Sequence, residues 1–205
     1  MNDDSYNFEQ KVAKEAAYLL YLGMEKEYKQ AKLRAARTFG ANFLPTNLEV
    51  ALEMNKIADE REGRARKERL IQMRNEALKI MKILKAYNPK LVGSVWRGTI
   101  HRASDIDIVL YQDSPYEIIH FLKQNNFKIL QKEWITITKR GTTISSLHIS
   151  LESSTKENVE IVIRGSEEAN RRERCEIYGD EIIGLDVQRL ETLLRENPTQ
   201  QFIPT

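Results

Sequence analysis

The chain has 205 residues, 41% hydrophobic and 30% charged, which supports a sizeable core under a charged surface and excludes disordered or collagen-like classes. Its 32 Lys+Arg nearly cancel 30 Asp+Glu, so the net charge of +2 identifies no partner by itself. The single cysteine, Cys175, excludes an intramolecular disulfide and a thiolate zinc cluster and sets the expectation of a reducing, cytoplasmic setting.

The first half is poor in glycine and proline and rich in Ala, Glu, Lys, Arg and Leu, a helix-favouring composition. Four helical segments are expected there. Phe8–Leu22 carries Ala16, Leu19, Leu20 and Leu22. Its apolar run, Ala16–Leu22, is far short of the ~20 residues that span a bilayer, so no membrane is expected as a partner. The acidic start of the chain likewise lacks the basic and apolar regions of a secretory leader. Met24–Thr38 is basic, amphipathic and stopped by Gly40. Thr46 and Glu49 predict a capping box at the start of the third segment. The fourth, about Arg64 to Tyr87, aligns Leu70, Met73, Ala77, Ile80 and Leu84 in one stripe. Arg61, Arg64, Arg66, Lys67, Arg69 and Arg74 could track an RNA backbone, although such runs are more often solvated helix faces with i,i+4 ion pairs.

Beyond Tyr87 the pattern changes to short β-branched runs, and the charge falls from +4 over residues 1–88 to −2 over 89–205. Strands are expected at Lys90–Val92, Asp105–Tyr111, Phe127–Thr138, Ile144–Leu151 and Val159–Arg164. Helices are expected at Val95–Ile100, Tyr116–Asn125, Glu167–Arg174 and Asp186–Glu196. The fold class is α+β: a mixed, mainly antiparallel sheet with flanking helices, plus an N-terminal helical region.

The chemistry concentrates in Leu91–Tyr111. Strand alternation buries Ile106, Ile108 and Leu110 on one face and puts Asp105 and Asp107 on the other, about 6.7 Å apart from a ~3.3 Å rise per residue. Paired carboxylates repel unless a cation lies between them, and hard oxygens suit Mg²⁺ bridging to phosphates. A bare Asp-x-Asp is more often just an acidic strand face, but here Gly93-Ser94 lies between a strand and a helix. Glycine lets a phosphate approach the backbone, Ser94 adds a hydroxyl donor, and Arg97 is placed to contact phosphate oxygens. No Walker loop occurs.

Gly93-Ser94, Arg97-Gly98-Thr99 and Ser104-Asp105-Ile106-Asp107 resemble the signature of the DNA polymerase beta-like nucleotidyltransferase superfamily, in its minimal nucleotidyltransferase type and less closely the archaeal CCA-adding enzymes. The resemblance implies a nucleotidyltransferase core over residues 63–205 with a separate helical region over 1–62, two Mg²⁺ ions and a nucleoside triphosphate substrate. It implies that Asp105 and Asp107 hold metal, that Gly93, Ser94, Arg97 and Thr99 bind the nucleotide, and that a third carboxylate sits on a later strand. Glu160 is the best match, because it lies centrally in an apolar strand where a lone carboxylate is costly; Glu152 is its competitor. The activity implied is transfer of an NMP from the NTP to an acceptor hydroxyl with release of pyrophosphate, the acceptor being an RNA, a protein or a small molecule. The alternative is a non-catalytic nucleotide- or RNA-binding relative acting through a partner. His101, His120 and His148 show no metal-ligand spacing and are read as structural.

Overall fold

The computed structural model describes residues 3–139 and 142–204. Three helices open the chain: α1 (Asp3–Tyr21), α2 (Tyr28–Phe39) and α3 (Asn47–Ile83). α2 starts later than the sequence suggests and ends on Gly40, whose φ of 63° supplies the left-handed cap. α3 starts in the expected capping box: the Thr46 side chain accepts from the Glu49 backbone N–H at 3.2 Å, and Glu49 accepts from the Thr46 N–H at 2.6 Å. The helix is broken at Gly63, with φ 53° and ψ −128°, a backbone conformation that side chains oppose. Two apolar clusters lie to either side of that break in the chain. Val12, Ala16, Leu19 and Ala35 gather with Val50 and Ile57, whereas Leu70, Met73, Ala77, Ile80 and Leu84 join the sheet.

The remainder is β1 (Lys90–Val92), α4 (Gly93–Arg97), β2 (Ile106–Tyr111), α5 (Pro115–Gln124), β3 (Lys128–Lys139), β4 (Thr142–Glu152), β5 (Asn158–Arg164) and α6 (Val187–Glu196). The five strands form one mixed sheet in the order β1-β2-β5-β4-β3. β2 and β5 pair in parallel, and the other pairs are antiparallel. One face is wholly apolar: Ile106, Ile108 and Leu110 of β2, Leu147, Ile149 and Leu151 of β4, and Val159, Ile161 and Ile163 of β5 are all buried. They pack with the stripe of α3, Ile118 and Leu122 of α5, and Leu190 and Leu193 of α6. Each such side chain contributes roughly 1.5–3 kcal/mol. The alternate residues of the same strands, Asp107, Glu160 and His148 among them, therefore share the opposite face.

Glu167–Arg174 is not the helix that its composition suggests. Only Ser166–Glu168 makes a 3-10 turn. The chain then runs into a bridge of Arg174 with Glu181, with the Ile182 N–H donating to the Glu173 carbonyl at 2.8 Å. Tertiary backbone pairing overrides a local preference of a few tenths of a kcal/mol per residue.

Candidate active site

Gly93 ends β1 and opens α4. Val92 is paired with Asp107 across the β1–β2 ladder. The chain therefore crosses directly over that carboxylate: a Cβ at Gly93 would sit 2.0 Å from Asp107 Oδ2, and φ is 69°. Steric contact and backbone conformation both demand glycine there.

Asp107 lies in direct register with Glu160 across the parallel β2–β5 pair. Burial, then the Glu160 charge, then the Asp105 charge push its carboxyl up to about 7. Asp105, just before β2, is exposed and accepts from Asn158 Nδ2 at 3.2 Å. Glu160 Oε1 lies 3.0 Å from His148 Nδ1. Among the described residues, no three His, Cys, Asp or Glu side chains are drawn into a preformed metal cage, and the charges of Glu160 and Asp105 both act to raise the Asp107 carboxyl. Glu152, the competitor, is exposed at the end of β4 and ion-paired with Lys128.

The loop ahead of Asp105 is tightly held. Arg69 donates to the carbonyls of His101 and Ser104 at 2.9 and 3.2 Å while gripping Glu157 with two nitrogens. The Ser104 hydroxyl accepts from the His101 N–H at 2.9 Å. Burial lowers the His101 imidazole pKa. Arg102, in the same loop, reaches to the end of α1 and donates to the carbonyls of Tyr21 and Leu22 at 3.1 and 2.8 Å.

Of the residues assigned to the nucleotide, Gly93 and Ser94 stand at the carboxylate face, Ser94 half-buried. Arg97 and Thr99 also have partners within the protein. Arg97 is buried between the Trp96 and Tyr178 rings, pairs with Asp180 through both terminal nitrogens and donates to the Phe202 carbonyl. Thr99 is buried with its side chain bonded to Tyr178. The cations that border the cleft beside Gly93 are Lys90, Arg97, Arg164, Arg171 and Arg172, around a cavity of about 350 Å³ that Tyr111 also lines. Arg164 is ion-paired with Glu173 at 2.6 Å. A larger, more apolar cavity of about 460 Å³ lies against α6 and shares Trp96 with the first.

The basic stretch Arg61–Arg74 does not form a continuous strip for RNA. Arg66 is buried and donates to the Ile100 carbonyl, Asp59 and Asn55. Arg74 is fully buried and donates to four backbone carbonyls, those of Val95, Trp96, Pro198 and Gln200. Arg61 stacks on Tyr18, and Arg64 pairs with Glu68 four residues on. Sequence reasoning passed over His148, because its approach to Glu160 appears only once β4 and β5 are paired in register. Lys90 is brought to the cleft by the β1–β2 pairing, where it lies opposite Val109.

Residues 74–169 match the family model described as "Nucleotidyltransferase domain". Among solved structures, the Cid1 poly(U) polymerase, an H336N mutant bound to MgATP, is similar at 16% identity and a TM-score of 0.33, over 54% of this chain. The chain spans 38% of that polymerase. No curated protein matches. The match takes in 96 of the 205 residues, a little under half of the chain, and includes Gly93, Asp105, Asp107 and Glu160, so this segment is similar to a nucleotidyltransferase domain.

Proposed function

We propose that the protein is a Mg²⁺-dependent enzyme that transfers an NMP from an NTP to an acceptor hydroxyl and releases pyrophosphate. The observation that carries this reading is the Gly93 backbone seated on Asp107, itself in register with Glu160 and pushed up to about 7 by burial and then by the charges of Glu160 and Asp105. Two carboxylates in register, Asp107 and Glu160, with Asp105 two residues before Asp107, raise one another's cost and fit a divalent cation better than a role in folding. Asp105, Asp107 and Glu160 would hold two Mg²⁺ ions, which when bound supply charge neutralisation at the α-phosphate and a more acidic acceptor hydroxyl.

The chain's own groups divide the remaining work. The Ser94 hydroxyl binds a phosphate oxygen where Gly93 lets it approach, and Lys90, Arg171 and Arg172 offset the charge of the triphosphate tail. The acceptor oxygen forms a bond to the α-phosphorus. The bond from that phosphorus to the bridging oxygen breaks, and its electron pair leaves with pyrophosphate. The acceptor proton passes to Glu160 Oε2, because Oε1 is engaged by His148. Residues 1–62 act as a separate helical unit that serves acceptor recognition. The lone Cys175 supports a cytoplasmic setting, and no helix among the described residues is long and apolar enough to cross a membrane.

The test is incubation with each labelled NTP and Mg²⁺ against cellular RNA, protein and metabolite pools, with Asp107→Asn as control. Label transfer that the variant lacks supports the reading. Mg²⁺-dependent NTP binding without transfer to any pool would replace it with the non-catalytic alternative. Absence of both binding and transfer removes it.

A further inference from the structure

His148 is tied at both ring nitrogens. Nδ1 lies 3.0 Å from Glu160 Oε1, and Nε2 lies 3.0 Å from Ser146 Oγ. All three side chains stand on the carboxylate face. In the antiparallel β4–β5 ladder Ser150 opposes Glu160 and His148 opposes Val162, so His148 reaches Glu160 on the diagonal. Ser146 is two residues from His148 along β4 and is 8% exposed, so its hydroxyl has little access to water.

The directions of these hydrogen bonds follow from chemistry. A carboxylate oxygen accepts, so Nδ1–H donates to Glu160 Oε1. Nε2 is held by the Ser146 hydroxyl, which fixes the ring from its other side. The imidazole becomes a fixed donor aimed at one carboxylate oxygen, and the second oxygen is left for the cleft. Carboxylates that hold metal commonly depend on such outer partners, whose loss weakens metal binding or turnover 10–100-fold.

We propose that His148, oriented by Ser146, is a positioning residue that fixes the Glu160 carboxylate for cation and acceptor. This rests on the reading of Glu160 given under Proposed function. A purely structural role is served by burial and ring packing, and neither requires a donor at Nδ1.

The experiment is titration of the whole protein with Mn²⁺ followed by electron paramagnetic resonance, together with steady-state kinetics under Mg²⁺. His148→Leu is expected to weaken Mn²⁺ binding and lower kcat, each by about 10–100-fold, with KM for the NTP changed less than about twofold. His148→Asn places an amide N–H where Nδ1–H stood and is expected to recover most of both. Ser146→Ala, a milder change that also covers the case of a leucine variant that fails to fold, should give a smaller loss in the same two quantities. Equal losses in the leucine and asparagine variants, or a serine variant identical to wild type, overturn the proposal. So does a leucine variant with wild-type Mn²⁺ affinity. Wild type and Asp107→Asn report on the underlying reading: if wild type binds no Mn²⁺, both fall, whereas a loss in Asp107→Asn alongside an unaffected His148→Leu sinks this inference alone.

Discussion

Asp107→Asn in the metal-free protein should raise the melting temperature at alkaline pH and leave it almost unchanged under acid. The Asp107 carboxyl is pushed from its ordinary 3.8 up to about 7 by burial and by Glu160 and Asp105. Below about pH 4 the group is protonated in both folded and unfolded chains, and the substitution exchanges one neutral group for another. Between 4 and 7 the unfolded chain ionises first, so the wild type loses stability as pH rises through this window. Above 7 the loss is complete, roughly 4 kcal/mol as a ceiling. With about 2–4 °C per kcal/mol for a chain of this size, the variant should melt higher at pH 8 by at most about 8–16 °C. Scanning calorimetry of both proteins with chelator, at half-unit steps from pH 4 to 8.5, measures the curve. Adding Mg²⁺ at pH 8 should then raise the wild type and not the variant. A stability difference that is flat across pH, or one that grows toward acid, would refute both the electrostatic argument and the assignment of Asp107 to a cation site.

Three further outcomes are open to measurement. Gly93→Ala should lose Mg²⁺-dependent NTP binding and melt several degrees lower, because its Cβ meets Asp107 Oδ2 at 2.0 Å with φ at 69°; wild-type binding in a titration would count against the close approach described here. Arg74→Leu should lower the melting temperature by more than about 6 °C, since four carbonyls lose their donor at roughly 1 kcal/mol or more each; a calorimetric change under about 2 °C would mean those carbonyls find other partners. Arg97→Ala should destabilise the fold by breaking the pair with Asp180 while leaving KM for the NTP within about threefold, and a large rise in KM at unchanged melting temperature would restore Arg97 to the nucleotide.

The parts of the fold that could be read from sequence are those governed by local periodicity. Thr46 and Glu49 close their box within one turn, and the stripe from Leu70 to Leu84 needs only helical spacing. The placement of Asp107 opposite Ile106 and Ile108 needs only strand alternation. Glu160 was reachable for the same reason. Other features depend on partners distant in sequence. Local sequence gives Arg97 its spacing from Gly93 but not its pairing with Asp180, 83 residues later. Arg66 and Arg74 look like solvated charges in a helix, yet α4 and its neighbouring chain cover them with carbonyls that need donors. Glu167–Arg174 has helix-forming residues but finds its backbone partners near Glu181. His148 sits in an unremarkable alternating strand, and strand register, which single-residue patterns do not encode, brings it to Glu160.

Arg102 supplies donors to the last carbonyls of α1 from within the loop that leads to Asp105. Its guanidinium also lies 5.4 Å from the Tyr21 ring centroid. The mechanical result is a shared joint: the end of the first helix and the approach to the carboxylate face cannot shift independently without giving up those bonds. A partner that grips the first helix and favours one position of that loop would in turn be gripped more tightly when the loop is held in that position. Arg102 is one of the side chains that link the helices to this loop, beside Arg66 and Glu62, and a substitution there measures its share.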